Sequence, residues 1–193
     1  MKLKAHLALI LCAMIAVIAI LVGGHATPKT QDSCNFVTNS YHQRVSWSAS
    51  VPVVMYVDSS VPPQYYSAIQ AAMTTWNQKL GRKVLVLGGW TQSSGPQKDG
   101  ANVIYWLKNW EAERVGYEQA RTTIYWADDV ISEADVRINA TGRFRYAGLQ
   151  TPAHGEVDFQ SLMLHEFGHV LGLQHTERLE SVMVKILKSD DLC

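Results

Sequence analysis

Along the first 26 residues, MKLKAHLALILCAMIAVIAILVGGHA, apolar positions are unbroken rather than periodic. Lys2 and Lys4 precede sixteen apolar residues from Leu7 to Val22, and the small-residue stretch Gly24-His25-Ala26 closes the run. As a helix that run reaches roughly 24 Å, short of a ~30 Å hydrocarbon core. The pattern predicts a secretory signal over residues 1–26 with a mature N-terminus near Thr27; its alternative is an uncleaved membrane anchor through residues 7–22. Leu11 before Cys12 is too large for the usual lipoprotein processing site, so lipidation is not expected.

Residues 27–44 are polar, with Pro28, Asn35 and Asn39, and hold no sustained period; they predict an N-terminal arm carrying little chemistry. From Val45 the pattern changes. Val53, Met55 and Val57 alternate with Val54, Tyr56 and Asp58 as in a largely buried strand. After Pro62 and Pro63, residues Ile69, Ala72, Met73, Trp76 and Leu80 fall at helical spacing, and Gly81 is placed to end a core helix. KVLVLGG, ANVIYWL, RTTIYWA and EADVRINA then read as strands, with WTQSSGPQKDG as a loop. Trp106, Trp110 and Trp126 lie in or beside these strands and are expected as core or sheet-face residues, not as a sugar platform. Asp158 is a good N-cap for a second helix from about Phe159 to Leu171.

With 193 residues and 47% hydrophobic content, the chain fits one globular domain over residues 45–193, expected as a monomer. Its 17 basic and 17 acidic residues balance, so nothing in the charge points to a nucleic-acid groove or a polybasic membrane surface. Function must then reside in a site.

The second helix carries that site in HEFGHVLGLQH, His165 to His175. Residues four apart share a helix face, so His165 and His169 can offer two imidazole nitrogens to one metal ion. Zinc with an open position needs a third protein ligand. Gly172 can take the left-handed conformation that ends the helix and turns the chain, bringing His175 back to the metal. Glu166, beside the first ligand, has no need to bind metal; it can take a proton from a water activated by zinc during attack on an amide carbonyl, and pass it to the leaving amine. A histidine-bearing amphipathic helix would explain a lone H-E-x-x-H, but five specified positions arise by chance in less than about one such sequence in 10,000.

The spacing H-E-x-x-H-x-x-G-x-x-H, followed by Met183 in ESVM, resembles the metzincin metalloproteases, and Thr176 after the third histidine resembles the matrixins among them. VDFQSLMLHEFGHVLGLQHT is similar to the matrixin active-site segment throughout, and the likeness runs from about Val45 to Met183. It implies an α+β, zincin-like domain: a twisted five-stranded mixed sheet with an antiparallel edge strand, two long helices, and a cleft floored by one zinc ion. By order along the chain EADVRIN is the expected edge strand, against which an extended peptide would lie. Met183 is expected beneath the ligands as packing support.

Two departures qualify the likeness. Only VKILKSDDLC follows Met183, so the usual C-terminal helix is expected to be missing or rudimentary, and pocket specificity does not carry over. QDSCNFV lacks the P-R-C-G-type pattern by which a matrixin propeptide cysteine blocks zinc. Calcium, frequent in that family, finds only Asp128, Asp129 and Asp135, which read as loop and strand-edge acids; His42 and His154 are expected to face solvent. After signal removal Cys34 and Cys193 remain, and an even count in an oxidising compartment predicts a disulfide between them, with a Cys34 thiolate on the zinc as the rival. The reading is a secreted or periplasmic zinc endopeptidase acting on extended peptides or proteins. Its alternatives are a zinc-containing peptide-binding module without turnover, and a domain in which zinc is purely structural; an open three-ligand site argues against the last.

Overall fold

Alternation along VVMYVD builds the first long strand. Val53, Met55 and Val57 are buried while Val54 and Tyr56 are not, so one side of the strand meets the core. The computed structural model describes residues 35–48 and 52–185. The proposed signal, Cys34, Cys193 and the tail that bears on a C-terminal helix lie outside the described residues. Among the described residues no helix is long and apolar enough to cross a membrane.

The elements run β1 (Ser46–Trp47), β2 (Val53–Asp58), a 3-10 turn (Pro63–Tyr65), α1 (Tyr66–Lys79), β3 (Leu85–Thr91), β4 (Asn102–Leu107), β5 (Ala120–Ala127), β6 (Val130–Asn139), β7 (Arg145–Ala147), β8 (Glu156–Asp158) and α2 (Phe159–Val170). β3, β2, β4 and β6 lie side by side in parallel, and the two-residue β1 pairs in parallel with the start of β6, making a six-stranded sheet with β5. β5 runs antiparallel to β6, with Thr122 opposite Val136. β7 and β8 form a separate parallel pair that the sequence pattern did not reveal. The architecture is α+β, with a mixed sheet and two α-helices among the described residues.

EADVRIN is not the edge. It lies within β6, held by β4 on one side and β5 on the other, whereas β5 pairs only with β6 among the described strands. The physical reason is the tight β5–β6 hairpin: the chain lays β5 down first and folds β6 back inside it, so order along the chain does not give order in the sheet. Asp135, expected as a strand-edge acid, is 1% exposed, as is Glu133 two residues before it. Glu133 accepts from the amides of Asp99 (3.2 Å) and Gly100 (2.5 Å), and Asp135 accepts from that of Val103 (3.1 Å). The β3–β4 connection thus covers Glu133, and β4 itself engages Asp135. Asp128 and Asp129 occupy the exposed hairpin turn.

Ala68, Ile69, Ala72 and Met73 on α1 join Leu162, Met163, Phe167 and Val170 on α2 and the inward residues of β2, β4 and β6 in one core. Asn77 fixes α1 to the next strand by accepting from the amides of Val84 and Leu85 and donating to the Leu85 carbonyl. Trp106 packs in this interior against Tyr65, Tyr146 and Phe159. Trp110 lies beneath the guanidinium groups of Arg121 and Arg137, and Trp126 is partly exposed.

Candidate metal centre and cleft

α2 begins where the Asp158 side chain accepts the Ser161 amide at 3.1 Å, filling one of the donors a helix start leaves unpaired. Nearly the whole helix is buried, because core and site are on opposite flanks of the same twelve residues. It ends in paired bonds from the Gly172 amide to the His169 carbonyl (2.9 Å) and from the Leu173 amide to the Gly168 carbonyl (2.9 Å), the Schellman arrangement. Gly172 has φ +88°, and a Cβ there would meet the Val45 carbonyl oxygen at 2.9 Å. No other residue type satisfies both conditions.

That turn brings His165, His169 and His175 together. Their Nε2 atoms are 3.1 Å (165–169), 3.1 Å (165–175) and 3.2 Å (169–175) apart. The other ring nitrogens of two of them face carbonyls: His165 Nδ1 to Val182 O at 2.7 Å and His169 Nδ1 to Leu173 O at 2.8 Å. A carbonyl can only accept, so each Nδ1 carries the proton and each Nε2 is a bare acceptor. Two bare acceptors 3.1 Å apart, with a third imidazole nitrogen equally close, repel one another unless a cation sits among them. These separations would let one zinc ion be held by all three nitrogens at ordinary Zn–N distances of about 2.05 Å. Burial holds the rings neutral: it pushes His165 down to about 3, helped by neighbouring His169, and lowers His169 and His175 as well. The donor set fits zinc.

Glu166 is 3% exposed and lines the cleft. Burial pushes its carboxyl up to about 7, against the opposing pull of a hydrogen bond from Thr122. Thr122 Oγ1 lies 2.6 Å from Glu166 Oε2. The cleft, about 580 Å³, runs between β5 and α2, with Ala120, Thr122 and Ile124 on its strand side and Leu162 and His165 on its helix side.

Met183 is buried beneath the helix. A Cβ on Gly168 would fall 2.2 Å from its sulfur, so the glycine exists to let the methionine approach. The same turn supplies the Val182 carbonyl that orients His165, and the Met183 carbonyl accepts the Thr176 amide at 2.9 Å. Two tryptophans anchor α2 from outside, Trp76 Nε1 donating to Leu164 O (2.9 Å) and Trp47 Nε1 to Val170 O (2.7 Å).

A family model, that of the matrixins, matches residues 61–192. This chain belongs to the matrixin family. Among curated proteins no sequence matches it. As a matrixin it is a metallopeptidase-family protein with a histidine cluster compatible with zinc.

Two contributors to this matrixin's site were not legible in its sequence. Thr122 sits in β5, whereas order along the chain makes β6 the expected edge. Asn35 belongs to the polar arm; its carbonyl accepts the Gln174 amide at 2.6 Å and its side-chain amide donates to the His175 carbonyl at 2.8 Å, while the Val37 amide donates to Gly172 O at 2.9 Å. The arm therefore straps the turn that delivers His175. These bonds use mostly main-chain groups, which leave no periodic signal; the only clue was an asparagine. His42 and His154 are exposed and away from the cluster.

Proposed function

We propose that this matrixin is an exported zinc endopeptidase in which His165, His169 and His175 hold one catalytic ion and Glu166 is the general base. The observation that carries the reading is the convergence of three neutral imidazole nitrogens within 3.2 Å of one another beside a buried glutamate in an open cleft. When bound, zinc supplies a Lewis acid that polarises a carbonyl and brings the pKa of water to about 7. Glu166 takes the proton that water loses as it attacks and returns it to the departing amine nitrogen. Burial raises the carboxyl, which makes Glu166 a stronger proton acceptor than a solvated glutamate. β5 offers the main-chain groups not paired with β6 to an extended peptide, which would add as a further strand and present its scissile bond to Glu166. Gly172 sets the third ligand and Met183 supports the helix from below. The sequence pattern of residues 1–26, two lysines followed by an apolar run and small residues, supports export.

Hydrolysis of casein by the mature chain, with and without a chelator, tests this together with Glu166→Ala. Chelation should abolish cleavage, and zinc-loaded Glu166→Ala should lose at least about a hundredfold in turnover. Zinc-loaded protein that binds peptides and never cleaves them would favour the peptide-binding module instead.

A further inference from the structure

The Thr122 hydroxyl owns one proton and has two acceptors within reach, Glu166 Oε2 at 2.6 Å and the Glu166 main-chain oxygen at 3.2 Å. The side-chain oxygen is the closer of the two, so it takes the bond. The donor does not sit on the helix that carries Glu166. It comes from β5, whose position is fixed by antiparallel pairing to an interior strand, Thr122 lying opposite the buried Val136. The neighbouring Thr123 is turned away, its hydroxyl 3.4 Å from Arg137 Nη2. A glutamate side chain has three rotatable bonds, and a helix alone does not choose which oxygen faces the cleft.

We infer that Thr122 is the positioning residue for Glu166: its hydroxyl engages Oε2, fixes the rotation of the carboxylate, and leaves Oε1 as the oxygen that exchanges the proton with water and amine. This rests on the general-base reading of Glu166. It also links substrate to base, because the strand along which a peptide would lie is the strand that aims the carboxylate. No proton leaves Thr122 in the reaction; the hydroxyl donates throughout.

The test compares Thr122→Val, which keeps the shape and removes the donor, with Thr122→Ser, which keeps the donor and removes a methyl. Both are measured for kcat and KM on a fluorogenic peptide and for zinc content. Thr122→Val should lower kcat by about tenfold or more with KM changed by less than about threefold and one equivalent of zinc retained, while Thr122→Ser restores most of the rate. In a Glu166→Gln background, Thr122→Val should cause no further loss, since the group it aims is gone. Wild-type kcat in Thr122→Val, or a Ser variant as slow as the Val variant, overturns the inference, as does loss of zinc from Thr122→Val. Thr122→Ala repeats the comparison with Ser should valine not fold. Full activity in Glu166→Gln would instead remove the general-base reading itself, so the two failures are distinct.

Discussion

Gly172→Ala is the substitution on which local geometry and metal binding meet. At φ +88° an alanine pays for a left-handed backbone, about 1–2 kcal/mol, and its Cβ would approach the Val45 carbonyl oxygen to 2.9 Å and Ile131 Cδ1 to 3.3 Å. A carbonyl in the backbone cannot rotate aside, so overpacking adds about 1–3 kcal/mol. Stiffening of the unfolded chain returns about 0.4–1 kcal/mol. The net loss is about 1–5 kcal/mol, read by urea denaturation of the metal-free protein. Relief of the clash must displace either the Val45 backbone just before β1 or the turn that delivers His175, so zinc affinity measured by chelator competition should fall as well. Gly172→Asn separates the two causes: asparagine tolerates the left-handed region better but keeps the Cβ, so it should recover part of the stability and little of the zinc affinity. A Gly172→Ala variant within 0.5 kcal/mol of wild type, with zinc affinity unchanged, would refute the reasoning.

Burial, reinforced by nearby Glu133 and Asp99, pushes the Asp135 carboxyl up to about 6 from 3.8. The unfolded chain therefore releases this proton first, and stability contributed by the protonated form is present below about pH 4 and lost as pH rises to about 6, by up to ~3 kcal/mol. Asp135→Asn should raise the thermal midpoint at pH 7.5 and converge with wild type near pH 4; a variant less stable at both pH values contradicts this. Intact-mass and N-terminal analysis of exported protein should find Thr27 at or near the start, and retention of residues 1–26 in membrane fractions would make the chain an anchored protein. Non-reducing peptide mapping should show Cys34 joined to Cys193 within one molecule, worth up to roughly 5 kcal/mol for so long a loop, and two free thiols would contradict it.

The helix bearing the histidines was legible because its signals are local. Asp158 marks its start, Gly172 its end, and the spacing of His165, His169 and His175 follows from helix and turn geometry alone. β2 was legible for the same reason, its alternation being visible within six residues. Sheet order was not. β5 and β6 are both rich in β-branched and aromatic residues, and which of them lies outside depends on a hairpin and a covering loop that pair residues some thirty positions apart, such as Glu133 with the amides of Asp99 and Gly100. Thr122 became significant only once β5 was outside and facing α2. Asn35 lay in a segment without period because its partners are backbone groups near position 174, too distant in sequence to leave a pattern.

In the proposed mechanism one catalytic metal is held by three histidines. Titrating metal-free mature protein with zinc, while following cleavage of a fluorogenic peptide, tests this most directly. Activity should rise linearly and stop at one equivalent of zinc, and His169→Ala should give no such rise at the same concentrations. Cleavage that proceeds undiminished in rigorously metal-free protein, or a His169→Ala variant that titrates to full activity at one equivalent, would contradict it.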